Sequence, residues 1–241
     1  MARVPKPKQA DDKRPSGRMV VLAFTVAVGA AVALVVAALF LRNDGGGALT
    51  PSPTPAVDLS GIPQEGTFLG AGSATVTLIE YADLQCPFCR SYSEAVFPTI
   101  VDEYVRPGKV RTEFRGLAFI GPDSEKALRY VLAAGLQNRL WDLQEALYRN
   151  QGAENSGWVS EELVRTLAAE IPHLDVDRLF EDAESDEVTA LMEQSADQAQ
   201  AADVPGTPTF YVQIGEQEPY KIEVALDPSS FRPALDDALA G

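Results

Sequence analysis

Blocks of apolar and β-branched residues alternate with amphipathic stretches from about Thr67 onward. The segment Ala74–Tyr81, ATVTLIEY, is rich in β-branched and apolar residues, which is typical of a buried strand. Apolar positions every three or four residues then predict a helix from about Pro87 to Val105, kinked by Pro98, before a second strand at Lys109–Phe119. A strand, a helix and a strand of these lengths predict a parallel βαβ unit with a right-handed crossover.

The chain changes character over residues from about 120 to 203. Successive segments there keep the helical period, and Ser124 and Ser160 are placed as N-caps of two of them. This stretch therefore predicts a mostly helical block inserted after the βαβ unit.

Strand character returns at Thr209–Ile214 and at about Tyr220–Val224, with the turn-like segment GEQEP between them. A last helix is predicted from about Pro228 to Leu239. The element order is therefore βαβ, helical insertion, β-hairpin and helix, which places the folded region in the α/β class.

The N-terminal region predicts a membrane anchor. Residues 1–18 form a basic tail with six basic and two acidic side chains, and residues 19–41 carry no charge. A helix of 23 residues spans about 35 Å, enough for a hydrocarbon core of about 30 Å. The basic tail predicts a cytoplasmic N-terminus and a single-pass protein whose remainder lies outside the cytoplasm. The alternative is a cleaved signal peptide, but its apolar region is usually shorter, about 7–15 residues.

Residues 42–65 are rich in Gly, Pro and Ser and predict a linker, so the folded domain is expected at 66–241. The whole chain has a net charge of −15 although its tail is basic, so the region after the apolar segment is strongly acidic. Such a surface repels nucleic acid, which excludes nucleic-acid binding as a function.

The two cysteines of the chain, Cys86 and Cys89, lie between a predicted strand and a predicted helix as Cys-Pro-Phe-Cys. A helix N-terminus stabilises a thiolate, and Cys86 is best placed to use it. Pro87 suits the first helical turn because its missing N–H would have had no partner there. Two intervening residues allow Cys89 to resolve a mixed disulfide formed by Cys86.

The pair has two alternative uses, a structural disulfide and a metal site. A structural disulfide closing so short a loop stabilises the fold little. A zinc site needs further ligands, and the chain has no other cysteine and only one histidine, His173. A CxxC motif beside a βαβ unit thus favours redox chemistry, with no metal and no organic cofactor.

The segments Glu80–Cys89, EYADLQCPFC, and Gly206–Phe210, GTPTF, flank the helical insertion. Together they resemble the DsbA-like branch of the thioredoxin superfamily, over residues from about 66 to 241. The resemblance implies a thioredoxin fold in which Cys86 attacks and Cys89 resolves. It also implies that Pro208 is a cis-proline lying against the pair and that Thr207 contacts the active-site sulfurs.

Glu80 is a further candidate catalytic residue. Alternation along the strand places it on a face that is covered if the strand is central, where burial would raise its pKa. It would then exchange a proton with Cys89, and the DsbA-like proteins it resembles have a glutamate at this position. The alternative is a strand-end glutamate paired with a base such as Arg115.

These features predict an extracytoplasmic thiol–disulfide oxidoreductase that forms disulfides in unfolded or partly folded exported proteins. The resemblance implies a quinone-linked membrane redox partner of the DsbB or VKOR type. Phe88 stands where the DsbA enzyme has His, so strong oxidising character is not implied. The alternatives are a membrane-anchored reductase of exported thiols and a peptide-binding module in which the cysteines are incidental.

Overall fold

A computed structural model describes residues 56–241 of the chain. The predicted basic tail 1–18, the apolar segment 19–41 and most of the linker lie outside the described residues. Across residues 56–241 no helix has both the length and the apolar character needed to cross a membrane.

Six strands form one sheet in the order β1-β2-β4-β3-β5-β6. They are β1 Gln64–Glu65, β2 Phe68–Leu69, β3 Val76–Asp83, β4 Val110–Leu117, β5 Thr209–Ile214 and β6 Tyr220–Ile222. β3 runs parallel to β4 and antiparallel to β5, which confirms the predicted βαβ unit and hairpin. Every residue of β3 is buried, as a central strand requires.

The helices are α1 Pro87–Ala95, α2 Phe97–Ile100, α3 Pro122–Gly135, α4 Leu140–Arg149, α5 Glu161–Ala169, α6 Val176–Ala183, α7 Asp186–Ala201 and α8 Pro228–Ala240. The helix predicted over 87–105 is interrupted at Val96 and ends in a π-helical turn, Val101–Val105. The interruption confirms the predicted kink, because Pro98 has no N–H for the preceding turn and its ring clashes with that turn's carbonyl.

Helices α3 to α7 form the insertion between β4 and β5, as predicted. Ser160 is the N-cap of α5 and accepts a hydrogen bond from the Leu163 amide. The prediction for Ser124 is wrong: α3 begins at Pro122, and the Ser124 hydroxyl binds Asp83 instead. This architecture is the thioredoxin fold with a helical insertion.

The folded unit also takes in part of the segment predicted as linker. Val57, Leu59 and Ile62 are buried in the main core. Strand β1, which lies before the predicted boundary at residue 66, pairs with β2. Each buried side chain of that size contributes about 1.5–3 kcal/mol through its apolar area. Residues 57–65 therefore pack against the domain.

Candidate active site

The loop after β3 places Cys86 at the start of α1. Cys86 is the N-cap residue, Pro87 occupies the first helical position, and the Cys86 amide donates to the Asp83 carbonyl over 2.9 Å. Both cysteines are free thiols in this structure. The sulfur of Cys86 thus faces the unpaired N–H groups of the first turn, as the sequence predicts.

The pKa of Cys86 is lowered to about 6. The main cause is a hydrogen bond from the Cys89 thiol, and burial opposes it. The Thr207 side chain and the backbone N–H groups of Cys89 and Phe88 lower the pKa further. Each of these groups stabilises the thiolate, so a large share of Cys86 is ionised at neutral pH.

Cys89 has the opposite character. It is fully buried, and burial followed by the nearby Cys86 sulfur raises its pKa well above the ordinary value. The backbone N–H of Asp83 is the one contact that lowers it. The pair therefore consists of an ionised sulfur on Cys86, which is 5% exposed, and a protonated sulfur on Cys89, which is fully buried.

The segment before β5 closes one side of the site. The Thr207–Pro208 peptide bond is cis, the conformation that the resemblance implies. The protonated Cys86 thiol donates to the Thr207 carbonyl over 3.3 Å. The Thr207 hydroxyl is buried and has no hydrogen-bond partner within the described residues, so it can donate to the Cys86 thiolate. Cys86, Cys89, Thr207 and Pro208 are therefore brought together.

Glu80 lies beneath the cysteines on β3, with a residue exposure of 1%. Burial raises its pKa well above the ordinary value, and the charges of Glu145 and Cys86 raise it further. The alternative of an ion pair with Arg115 is wrong, because that guanidinium binds both oxygens of Glu113 and the Tyr81 hydroxyl. Glu113 and Arg115 lie on β4, on the same face of the sheet as Tyr81 and on the opposite face from Glu80.

The Asp83 carboxylate holds the active-site loop in place through four hydrogen bonds. This carboxylate is fully buried and accepts hydrogen bonds from the Gln85 amide, the Ser124 hydroxyl and the amides of Phe119 and Ile120. It thereby ties the loop before Cys86 to the loop after β4. No pattern in the sequence indicates this role, because the four donors come from three separate segments.

Glu145 was also missed. It lies on α4, is 2% exposed, and accepts a hydrogen bond from the Ser93 hydroxyl over 2.9 Å. Burial is the main cause that raises its pKa to about 8. In the sequence it stands inside an amphipathic pattern, WDLQEALY, where a glutamate indicates a solvated position.

A βαβ unit with a thiolate–thiol pair at the helix start and a cis-proline beside it defines a thiol–disulfide oxidoreductase of the thioredoxin fold. Residues 63–237 match the family described as “Thioredoxin”, and the chain belongs to that family. It is therefore an enzyme of thiol–disulfide exchange and not a binding module with incidental cysteines.

Curated relatives carry names that agree with this class. The chain is 32% identical over 147 residues to the probable disulfide bond formation protein D of Bacillus anthracis. This alignment covers 60% of this chain and 68% of that protein. The chain is 27% identical over 146 residues to the disulfide bond formation protein D of Bacillus subtilis, covering 60% and 66%.

Solved structures show the same fold. Oxidised BdbD from Bacillus subtilis superposes with a TM-score of 0.65 at 24% identity, covering 78% of this chain and all of that one. A thioredoxin-like oxidoreductase from Silicibacter pomeroyi gives a TM-score of 0.56 at 29% identity, covering 72% and 92%.

Proposed function

We propose that the protein oxidises pairs of thiols in exported polypeptides, using the Cys86–Cys89 disulfide as the oxidant. The observation that carries the proposal is the opposed acidity of the two sulfurs, with the pKa of Cys86 lowered to about 6 and that of Cys89 raised well above normal. A thiolate favoured in the reduced state makes the disulfide easier to reduce, and hence a better oxidant.

In the reaction, a client thiolate attacks the sulfur of Cys86, because Cys89 is fully buried. The Cys86–Cys89 bond breaks, Cys89 leaves with the bonding electrons and takes a proton, and a mixed disulfide joins the client to Cys86. A second client thiolate then attacks the client sulfur, which forms the client disulfide and releases Cys86 as a thiolate. Two electrons pass to the enzyme, one client proton ends on Cys89 and the other in solvent.

Pro208, Thr207 and Glu80 have supporting roles in this proposal. Pro208 has no N–H and leaves a backbone edge beside Cys86, where an extended client segment can lie. Thr207 contacts the Cys86 sulfur through its carbonyl. Glu80 supplies or accepts the proton of Cys89, since burial raises the pKa of Glu80 itself and its charge raises the pKa of Cys89.

The acidity of Cys86 supports oxidation of the client as the direction of transfer. A pKa of about 6 lies between the values of about 7 for thioredoxin and about 3.5 for DsbA. A lower pKa of the attacking cysteine stabilises the reduced state and makes the disulfide more oxidising. Such a disulfide oxidises clients when a partner regenerates it, and we propose a membrane partner of the DsbB or VKOR type.

The setting of the reaction belongs to the same proposal. The uncharged segment 19–41 behind a basic tail supports a cytoplasmic N-terminus, a single-pass anchor and a catalytic domain outside the cytoplasm. Disulfides persist in that environment. The names of the Bacillus relatives as disulfide bond formation proteins support the client chemistry.

The test uses the full chain, purified in detergent and oxidised, mixed with reduced unfolded ribonuclease. Wild-type protein is expected to generate ribonuclease disulfides, Cys86→Ser to generate none, and Cys89→Ser to be inactive as an oxidant. Equilibration in glutathione buffers gives the potential. A value near that of thioredoxin, about −270 mV, with no ribonuclease oxidation would instead favour the reductase alternative.

A further inference from the structure

The proton of Cys89 has no direct route to solvent. The Cys89 side chain is fully buried, and its neighbour Cys86 is 5% exposed. In a mixed disulfide the client covers the surface at Cys86, which closes the shortest route. Each catalytic half-cycle nevertheless adds a proton to Cys89 or removes one, so a path through the interior is required.

Two buried carboxyl groups lie on the inner side of Cys89. Glu80 comes from β3 and Glu145 from α4, with exposures of 1% and 2%. Both oxygens of Glu80 and the Oε2 atom of Glu145 have no hydrogen-bond partner among residues 56–241. Burying polar oxygens without partners costs free energy, so water or a proton shared with a neighbour is expected at these atoms.

The two carboxyl groups lie close enough to affect each other. After burial, the charge of Glu145 is the largest cause of the raised pKa of Glu80. The Tyr92 hydroxyl is buried without a partner in the described part of the chain, and after burial both glutamates raise its pKa. Tyr92 therefore stays protonated beside both and can pass a hydrogen bond between them.

Glu145 also reaches a second opening in the domain. It lines a cavity of about 740 Å³ that is partly open to solvent, together with Leu59, Ile62, Asp142 and Arg149. Neither cysteine, Thr207 nor Pro208 lines this cavity. Water in it therefore stays accessible while a client occupies the surface beside the cis-proline.

We propose that Glu145 is the outer group of a proton path that joins the Cys89 sulfur, through Glu80, to water in this cavity. The path rests on the proposed function. When the disulfide is reduced, Cys89 leaves as an anion and takes a proton from Glu80; Glu80 regains one from Glu145, and Glu145 regains one from cavity water. When the enzyme is reoxidised, the same proton moves outward as Cys89 attacks.

The protonation of Glu145 is coupled to Glu80 from β3, Tyr92 and Glu94 from α1, and Asp142 and Arg149 from its own helix. The cavity wall also carries four further charged or titratable side chains: Asp58, Arg139, Glu170 and His173. Because like charges exclude each other at short range, Glu80 and Glu145 together carry at most one negative charge near neutral pH. That leaves one proton to move between them.

The experiment follows reoxidation of the reduced full chain by excess glutathione disulfide, with acid quenching and mass spectrometry. Wild-type Cys86 forms a mixed disulfide that Cys89 closes. Glu145→Gln keeps the shape but has no exchangeable carboxyl proton, so we expect the mixed disulfide to form at the wild-type rate. Its closure should be slowed about tenfold or more, with a flattened pH profile between pH 6 and 9.

Two controls separate proton transfer from packing. Glu170→Gln removes a carboxylate from the wall of the same cavity that is not among the groups shifting the pKa of Glu145, and this variant should close at the wild-type rate. Glu145→Ala opens space at the cavity, and added formate should restore its rate. Rescue by formate supports a proton role, because a structural loss would not respond to a small acid.

Closure of Glu145→Gln at the wild-type rate would overturn the path, and so would equal slowing in Glu170→Gln or an absence of rescue in Glu145→Ala. If wild-type Cys86 forms the mixed disulfide no faster than a cysteine peptide, the proposed function fails and the path fails with it. The two failures are thus read from different steps of one experiment.

Discussion

The Cys89 thiol donates a hydrogen bond to the Cys86 sulfur, and this contact is the largest cause of the low pKa of Cys86. The donor is itself held protonated by its burial, because its pKa is raised well above normal. One thiol therefore acidifies the other, and the division of labour between them follows from their depth in the domain.

Removing the donor should raise the pKa of Cys86. In Cys89→Ala the backbone N–H groups and Thr207 remain, but the main stabilising contact is lost. We expect the pH midpoint of Cys86 alkylation to rise by about one pH unit or more, since a charge-assisted hydrogen bond contributes about 1.5–3 kcal/mol. The measurement is the rate of iodoacetamide reaction against pH.

Ser91→Ala is a matched control for that variant. Ser91 is exposed on the same helix, and its hydroxyl donates only to the Pro87 carbonyl. Its alkylation midpoint should equal that of wild type. An unchanged midpoint in Cys89→Ala would show that the backbone N–H groups and Thr207 account for the acidity of Cys86 without the Cys89 thiol.

Asp83 should be a major source of stability at the active-site loop. Asp83→Ala leaves the amides of Gln85, Phe119 and Ile120 without their acceptor. We expect a loss of about 2–4 kcal/mol in the free energy of unfolding, because buried donors without partners each cost about 1–3 kcal/mol. Urea unfolding of the oxidised full chain measures it.

Asp102→Ala serves for comparison, because Asp102 is exposed and pairs only with Arg106 in the following turn. Such surface pairs contribute about 0–1 kcal/mol. Equal losses in the two variants would contradict a central role for the Asp83 carboxylate.

The buried glutamates should make stability fall with rising pH. Glu145 has a folded pKa of about 8, above its unfolded value, so the unfolded chain releases its proton first. The stability it contributes is complete below about pH 4.5 and decreases up to about pH 8, by at most about 1.4 kcal/mol per pH unit. Chemical unfolding of the oxidised protein at several pH values tests this.

The oxidised form is required for this experiment, because in the reduced protein Cys86 makes stability rise with pH and so opposes the effect of Glu145. Its folded pKa of about 6 lies below the unfolded value, so it adds stability as pH rises above 6. Glu145→Gln should flatten the slope of the oxidised protein between pH 5 and 8. A slope equal to that of wild type would show that Glu145 does not titrate in this window.

Much of this molecule could be predicted from local patterns. The βαβ unit, the hairpin and the position of Cys86 at a helix start depend on periodicity and on Pro87, which act over a few residues. The burial of Glu80 followed from alternation along one strand once that strand was placed at the centre of the sheet.

The partners of Asp83 and Glu145 could not be predicted in this way. Asp83 accepts a hydrogen bond from Ser124, which is 41 residues away in the sequence, and Glu145 accepts one from Ser93, which is 52 residues away. Contacts of that kind depend on how the helical insertion packs on the sheet, and each residue type is common on solvated surfaces. Only the tertiary structure distinguishes a buried glutamate from an exposed one in an amphipathic helix.

The central claim is that Cys86 is a thiolate at neutral pH while Cys89 is not. Alkylation of the reduced full chain with limiting iodoacetamide, followed by peptide mass spectrometry at each pH, measures both sulfurs at once. We predict modification of Cys86 with a midpoint near pH 6 and no modification of Cys89 in the folded protein. A midpoint near 8.5, the ordinary value for a free cysteine, would contradict the account.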